Sequence, residues 1–597
     1  MKLSRLLLIS AVAISLTSCD DLFEPALENN QDISQMYKDP QFARGILDNA
    51  YLALPYSTTP SSDVATDDAV TNDNSNNYKK MATGSWAANM NPISQWDGRY
   101  HAIQYCNLML ENCDKVEWSY TSEVLNKMYA DNYKGNAYAL RGLHLFYLLR
   151  AHAGMVDGQL MGVPLHLTSE DASSDFNQPR NTFKECIDQI MSDFDEALKC
   201  LPEQYGDVDE DKVPAKYAQQ GASNAEYNRA FGDTHRGKID GRIISAFKAQ
   251  VAIMAASPAY ASTGAFTYEE AAKLAADCLK NFGGLHACDP DGWKWFDNKS
   301  VINNLGATSV NPSEIIWRGA IDENNSLESN NYPPSLYGKG RVNPTQNLVD
   351  AFPMANGYPI SDANSEYDAN DPFANRDPRL KAYILVNGDK IGSTDGVVNS
   401  AADSKTTDGL NKENGMSTKT GYYLRKLLRS DINLNPNSTT KQKHLNARIR
   451  STEILLDYAE AANEAQGPMA KVGGADYSAY DVIKAIRERA GLGEFGEDPY
   501  LDECAQNKDK MRELIRNERR LELCFENHRF WDLRRWKANL NEPAKGINIT
   551  TDAATGKFIY KTFEAEERKY DDYMYYGPIP YSEILKYSNL KQNEGWK

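Results

Sequence analysis

Between positions 518 and 535 the chain concentrates Glu518, Glu522, Glu526, His528 and Asp532 among Arg519, Arg520 and Arg529, a mixture that acid and base catalysis could use. Hydrolysis of a glycosidic bond, for example, needs two carboxylates about 5–9.5 Å apart across a cleft. The spacing favours a different role. Glu518 and Glu522 stand four apart, on one face of a helix and beside arginines, which suits a salt-bridged packing motif. Gly491-Leu-Gly493-Glu-Phe-Gly496 matches the dinucleotide-binding pattern in its letters, but it follows a helical pattern and runs into Glu497-Asp498-Pro499. A dinucleotide loop needs a strand before it and a helix N-terminus after it, so this segment is read as a helix stop and turn. The sequence has no HExxH, Walker A or G-x-S-x-G motif, and its histidines show no close ligand pairing. Asp67, Asp68 and Asp73 offer oxygen ligands for a calcium ion but lack EF-hand spacing, so they are expected as solvated loop acids. No cofactor is expected, a structural calcium aside.

Another grouping suits binding without bond breaking. Sugar recognition uses flat aromatic faces against the apolar face of a pyranose, with amides, carboxylates or guanidinium groups bonding the neighbouring hydroxyls. Trp86 with Asn89, and further on Trp293, Trp295 and Tyr332, place such residues in polar stretches rich in Asn, Asp, Ser and Gly. These five are the candidate ligand-binding residues. The opposing possibility for each aromatic ring is that it packs beneath its own loop.

The elements that must position these loops read as helices. Amphipathic spacing marks segments at about 40–54, 94–112, 122–151, 181–201, 241–255, 268–280, 447–466, 477–490 and 508–525. In the stretch from Asn136 to Arg150, small Ala137, Ala139 and Gly142 alternate with bulky apolar residues. Small residues let helix axes approach and large ones fill the gaps, as stacked helix hairpins of the TPR type require. The fold class expected is therefore mainly α, a TPR-like scaffold of helix pairs with little β structure. Long irregular stretches interrupt it at about 55–92, 202–240, 288–349 and 353–443. Loops of that length are uncommon in compact domains unless functional, and their aromatic content argues for ordered recognition loops over disorder.

The N-terminus carries Lys2 and Arg5, an apolar run from Leu6 to Leu16, and then Thr17-Ser18-Cys19, the pattern of a secretion signal. The run is much shorter than the roughly 20 residues of a membrane span. Residues 1–18 are expected to be removed, leaving Cys19 as the N-terminus, residues 19–35 as a tether, and 36–597 as one helical domain with parts at about 36–285 and 286–597. Net charge is -18, and the loss of Lys2 and Arg5 would bring it to -20. Nucleic acid is disfavoured as a ligand because it demands a basic footprint, and a polyanionic glycan is disfavoured unless a local basic patch overrides the global field. Apart from Cys19 the cysteines, from Cys106 to Cys524, show no CxxC spacing and read as small buried residues.

Taken in order, several blocks resemble the SusD/RagB family over essentially the whole mature chain. Leu16-Thr17-Ser18-Cys19 resembles a lipoprotein lipobox, with Asp20 and Asp21 after it similar to a surface-export signal. Then come Trp96-Asp97-Gly98-Arg99-Tyr100, Ala139-Leu140-Arg141-Gly142-Leu143-His144, and Asn311-Pro312-Ser313-Glu314-Ile315-Ile316-Trp317. Further on are Ile449-Arg450 with Glu453-Ile454-Leu455-Leu456, Glu518-Arg519-Arg520-Leu521-Glu522-Leu523, His528-Arg529-Phe530-Trp531-Asp532-Leu533 and Gly577-Pro578-Ile579-Pro580.

The resemblance implies a TPR-derived helical fold, lipidation at Cys19, an outer-membrane anchor facing the exterior, and no catalysis. It also implies the role of lid on a SusC-like TonB-dependent transporter that imports oligosaccharides. Family members hold ligand with loops, but no residue-level motif carries over to the five candidates. Two alternatives stay open: a peptide-binding lid of the same transporter type, and a secreted glycoside hydrolase.

Overall fold

The computed structural model describes residues 33–493 and 496–597. The expected signal, Cys19 and the tether up to residue 32 lie outside the described residues, as do two positions of the glycine-rich turn.

The scaffold is a run of helices, each packed against the next: α1 (Pro40–Leu52), α2 (Trp96–Asn112), α3 (Glu123–His152), α4 (Phe183–Cys200), α5 (Gly241–Ala256), α6 (Tyr268–Lys280) and α7 (Ser451–Gln466). Helices α8 (Ala479–Arg489) and α9 (Lys508–Glu522) pack against α7, and a short α10 (Arg529–Arg535) follows. Their starts are set by side chains that satisfy free N–H groups of the first turn. Asp39 caps α1 ahead of Pro40, Ser122 caps α3, and Thr182–Glu185, Thr267–Glu270 and Ser478–Asp481 form reciprocal capping boxes. Close approach of α3 and α4 depends on Gly142, where a Cβ would stand 2.9 Å from the Phe194 ring and 3.2 Å from the Ile190 carbonyl oxygen. With Leu140, Leu143, Leu145, Leu148 and Leu149 all buried, α3 is enclosed on more than one face and serves as the central post. One apolar core draws on residues from Met36 to Leu590, so the first helices and the last segments share it.

The strands are short and pair two by two. Strand β1 (Ile315–Arg318) pairs antiparallel with β2 (Ala447–Arg450), and β3 (Ala544–Thr551) pairs with β4 (Phe558–Glu566). The helix expected from 447 therefore begins at Ser451, and its first four positions are extended. Ala-Arg-Ile-Arg alternates with period two, but four residues are too few to override the helical spacing that follows. The β3–β4 hairpin is a further departure from the helical reading. Its Ile547 and Ile549 are buried against the second core while Phe558 and Ile559 face outward. The stretch at 202–240 holds a capped helix, Asn224–Phe231.

The charge-rich block folds as a packing network. The Glu518 carboxylate accepts hydrogen bonds from Arg379 (2.9 Å) and Arg487 (2.8 Å), and the Glu522 carboxylate accepts from Arg379 and Arg489 (both 3.0 Å). Arg519 donates to Asp457 (2.7 Å) and Asp532 (2.8 Å). Asp67 and Asp68 correct the expectation of solvated acids. They lie against Arg520 and Arg529, with Arg520 donating to Asp68 at 2.6 Å and Arg529 to Asp67 at 2.9 Å. Two guanidinium groups already occupy the front of these carboxylates, and Asp73 turns away to accept from Ser75, so the three do not converge on a cation. The eight cysteines after Cys19 are free thiols, and all but Cys200 and Cys288 are buried.

Candidate functional site

Where the C-terminal end of α3 meets the first long loop, strand β2 and the turn before α10, three hollows run into one another. Tyr56, Arg448 and Asn527 line both of the first two, and Arg150, Gln250 and Trp531 line both the second and the third. The first hollow has a volume of about 280 Å³ and ends at Trp295.

The aromatic floor is built edge to face. Tyr56 meets Trp317 at 5.4 Å between ring centres and Tyr147 at 5.8 Å, both at 86°, and the Tyr147 hydroxyl donates to the Tyr56 hydroxyl at 2.8 Å. Trp317 itself is anchored, its indole N–H donating to the Gly237 carbonyl at 3.0 Å. Two guanidinium groups lie on these rings. Arg448 is 4.9 Å from the centre of Tyr56 and 4.5 Å from that of Trp317. Arg150 is 4.9 Å from Tyr147 and 4.3 Å from Trp531.

Backbone geometry aims these groups. In the β1–β2 ladder Ala447 pairs with Arg318 and Ile449 with Trp317, which leaves Arg448 as an extra, bulged residue. A bulge re-aims its side chain. Arg450, two residues on, is buried and reaches Glu314 (2.5 Å) and Glu526 (2.8 Å) instead. The turn of Phe525, Glu526 and Asn527 has left-handed backbone at its first and third residues, φ 63° and 64°. Such a conformation is strained for Phe and persists where its surroundings impose it. Here Asp63 accepts the Phe525 and Asn527 N–H groups (3.2 and 3.1 Å), and the Asn527 side chain accepts from the Ser62 N–H at 2.9 Å. The first loop and this turn are thereby tied into one wall.

Electrostatics divide the acids of the cleft. Against the penalty of burial, Arg450 and Lys426 hold Glu526 down to about 2. Burial, and then the charge of Asp457, push the Glu453 carboxyl up to about 8, and it accepts from Gln250 at 2.8 Å. Burial, with Arg519 adding to it, holds His528 down to about 3.

Of the five residues that sequence suggested, Trp295 reaches this cleft, packed edge-on against Phe296 at 5.8 Å, and its indole N–H has no hydrogen-bond partner among the described residues. Trp293 lines a separate hollow of about 620 Å³ with Lys294 3.9 Å over its ring. Trp86 is 4 % exposed in a small core with Phe530, Tyr570 and Trp596, and its indole N–H donates to Asn91 at 3.1 Å. Asn89 is exposed in the turn beyond it. Tyr332 is 1 % exposed in another small core, its hydroxyl bonded to the Arg429 carbonyl. Sequence reasoning missed Tyr56, Arg150, Arg448 and Trp531. Tyr56 does fall in a stretch singled out as a recognition loop, and Trp531 was read only as part of the packing block.

Two family models match the chain: the one described as "SusD family" over residues 313–596, and the one described as "Starch-binding associating with outer membrane" over residues 27–223. A SusD-like protein of Formosa agariphila is 23 % identical over 444 residues, covering 74 % of this chain and 71 % of its own. Among solved structures, a SusD-like protein of Bacteroides fragilis superposes with TM-score 0.70 at 22 % identity over 96 % of this chain and all of its own. A SusD-like carbohydrate-binding protein of the same species reaches TM-score 0.67 at 20 % identity over 93 % of this chain and all of its own. A laminarin-binding SusD-like protein reaches 0.53 at 17 % identity over 94 % of this chain and all of its own.

Proposed function

Because the chain belongs to the SusD family, we propose that it is a surface glycan-binding lipoprotein that serves as the lid of a SusC-like TonB-dependent transporter for oligosaccharide uptake. The observation that carries the ligand half of this reading is the cleft over Tyr56 and Tyr147, with Trp317 buried beneath them. It joins aromatic rings, oriented guanidinium groups and the amides of Gln250 and Asn527 at the meeting of scaffold and loops. That is the set of groups that recognises a polyol with both apolar and hydroxyl faces. Trp295 at the end of the cleft is retained as a ligand contact.

The anchoring half rests on the lipobox-like sequence at Cys19 and on the outer-membrane association of the matched family model. Among the described residues no helix is long and apolar enough to cross a membrane. The cleft acids support capture over cleavage, since Glu526 is ion-paired with Arg450 and Lys426 and Glu453 is engaged by Gln250.

The test is calorimetric titration of the purified full chain with a panel of neutral and acidic oligosaccharides, each mixture checked for new reducing ends. Binding that returns the glycan intact and weakens in Trp531→Ala is the expected result. Cleavage would sink the lid reading, and heat from peptides alone would replace sugars by peptides as the cargo.

A further inference from the structure

Many buried arginines of the molecule face carboxylates, among them Arg141 on Asp193 (2.6 Å), Arg379 on Asp377 (2.7 Å) and Arg535 on Glu460 (2.7 Å), while Arg376 bonds backbone carbonyls and Arg534 packs on the rings of a closed core. Arg150 and Arg448 instead line an open cleft. Among the described residues neither Arg150 nor Arg448 has a hydrogen-bonded or ion-paired partner, and the Nε of each is buried. Arg99, 7 % exposed on α2, is likewise without a carboxylate, with Nε and one Nη buried and unbonded. All three act electrostatically on Tyr147, whose hydroxyl pairs with Tyr56 at the cleft floor.

The neighbouring acids do not neutralise this cluster. Glu526 is held by Arg450 and Lys426, Asp457 and Asp532 are held by Arg519, burial pushes Glu453 toward its neutral form, and Asp322 stands exposed at the mouth on a strand paired with residues 442–444. Both guanidinium groups lie over rings and line the cleft, and a guanidinium whose Nη groups are unbonded can meet a carboxylate or sulfate by two parallel bonds. Both side chains are half-buried, so their charge is only partly hydrated, and an anionic ligand group would supply the partner that the chain does not.

We propose that the cleft takes an acidic oligosaccharide and that Arg150 and Arg448 receive its carboxylate or sulfate over the Tyr56–Tyr147 pair. This rests on the glycan-binding reading above and adds the charge of the sugar to it. It also runs against the acidic balance of the whole chain, -18 by formal charge, through a basic patch confined to one cleft.

Matched probes test it in the full chain: oligogalacturonate against its methyl ester, and a sulfated carrageenan oligosaccharide against its desulfated form. The acidic member of at least one pair should bind about tenfold or more tightly than its neutral partner, and the preference should shrink with added salt. Which pair shows the preference separates carboxylate from sulfate. Arg448→Gln and Arg150→Gln should each lower the preference about tenfold, and Arg448→Lys should restore only part of it, because a lysine keeps charge without the fork. Thermal melts within a few degrees of the parent certify that the variants are folded. Equal affinity for charged and neutral sugars would overturn the inference while leaving glycan binding in place. Binding of an acidic peptide and of no sugar would overturn both.

Discussion

Arg448 and Arg450 stand two residues apart on one strand and serve different regions. Arg450 enters the ion-pair network beneath α9, where Glu314 and Glu526 meet it. Arg448, displaced by a bulge, lies on Tyr56 and Trp317 and has no ion-paired acid among the described residues. The network uses charge to fix how α7, α8 and α9 pack, and its arginines are ion-paired with carboxylates within the chain. The cleft holds charge that the chain itself leaves unmatched. Charge in the first region should therefore govern stability, and charge in the second should govern binding.

The largest effect expected is in the network. Arg379→Ala would leave Asp377, Glu518 and Glu522 buried without their shared cation, and the loss in unfolding free energy should be about 3–5 kcal/mol, read by chemical denaturation. An equal loss from Arg448→Gln would erase the distinction between the regions. Trp86→Ala should cost a similar amount, about 3–5 kcal/mol, because its ring fills a small core against Phe530, Tyr570 and Trp596. Glycan affinity in the folded fraction should fall by less than in Trp531→Ala, since Trp86 packs behind Phe530 and does not line the cleft. A selective loss of affinity would return Trp86 to the ligand site.

Acid should weaken the network before it alters the cleft. Arg450 and Lys426 hold Glu526 down to about 2, and Arg519 and Arg535 do the same for Asp532, in each case against burial. Folded values below the unfolded ones add stability above about pH 4.5, and this contribution is lost as pH falls from there to about 2. Urea midpoints followed over that range should fall steeply, and less so in Glu526→Gln.

The smallest effect belongs to Glu453, which burial and Asp457 push up to about 8, with Arg519 opposing. Asp457, Arg519, Glu526, Arg450, His528 and Arg150 are the charged or titratable groups that act on it. Above about pH 8 its deprotonation puts a negative charge near Arg150, so affinity for an acidic sugar should fall a few-fold, on the order of 1 kcal/mol. Glu453→Gln should abolish that fall. If the fall persists in the variant, another group titrates in the cleft.

Much of the scaffold was legible in the sequence because helices declare themselves locally. Tyr268–Lys280 occurs as spacing predicts, and the other long helices differ mainly at their ends. The packing role of Glu518 and Glu522 was legible too, since two acids four apart beside arginines share a helical face. Spacing could not reveal what lies over a side chain. Trp86, Trp295 and Tyr332 are alike in sequence, as aromatics in polar stretches, and differ in what the rest of the fold sets against them.

By itself, then, the sequence determined the helical class, the family and the salt-bridged block, all of which rest on local periodicity or ordered short motifs. The cleft was decided by tertiary structure alone. Tyr56, Arg150, Arg448 and Trp531 come from a loop, a helix end, a bulged strand and the short helix α10, spread over most of the chain. Whether an arginine ends on a carboxylate or on a ring depends on one bulge and on which distant acid it meets, and no local pattern encodes either.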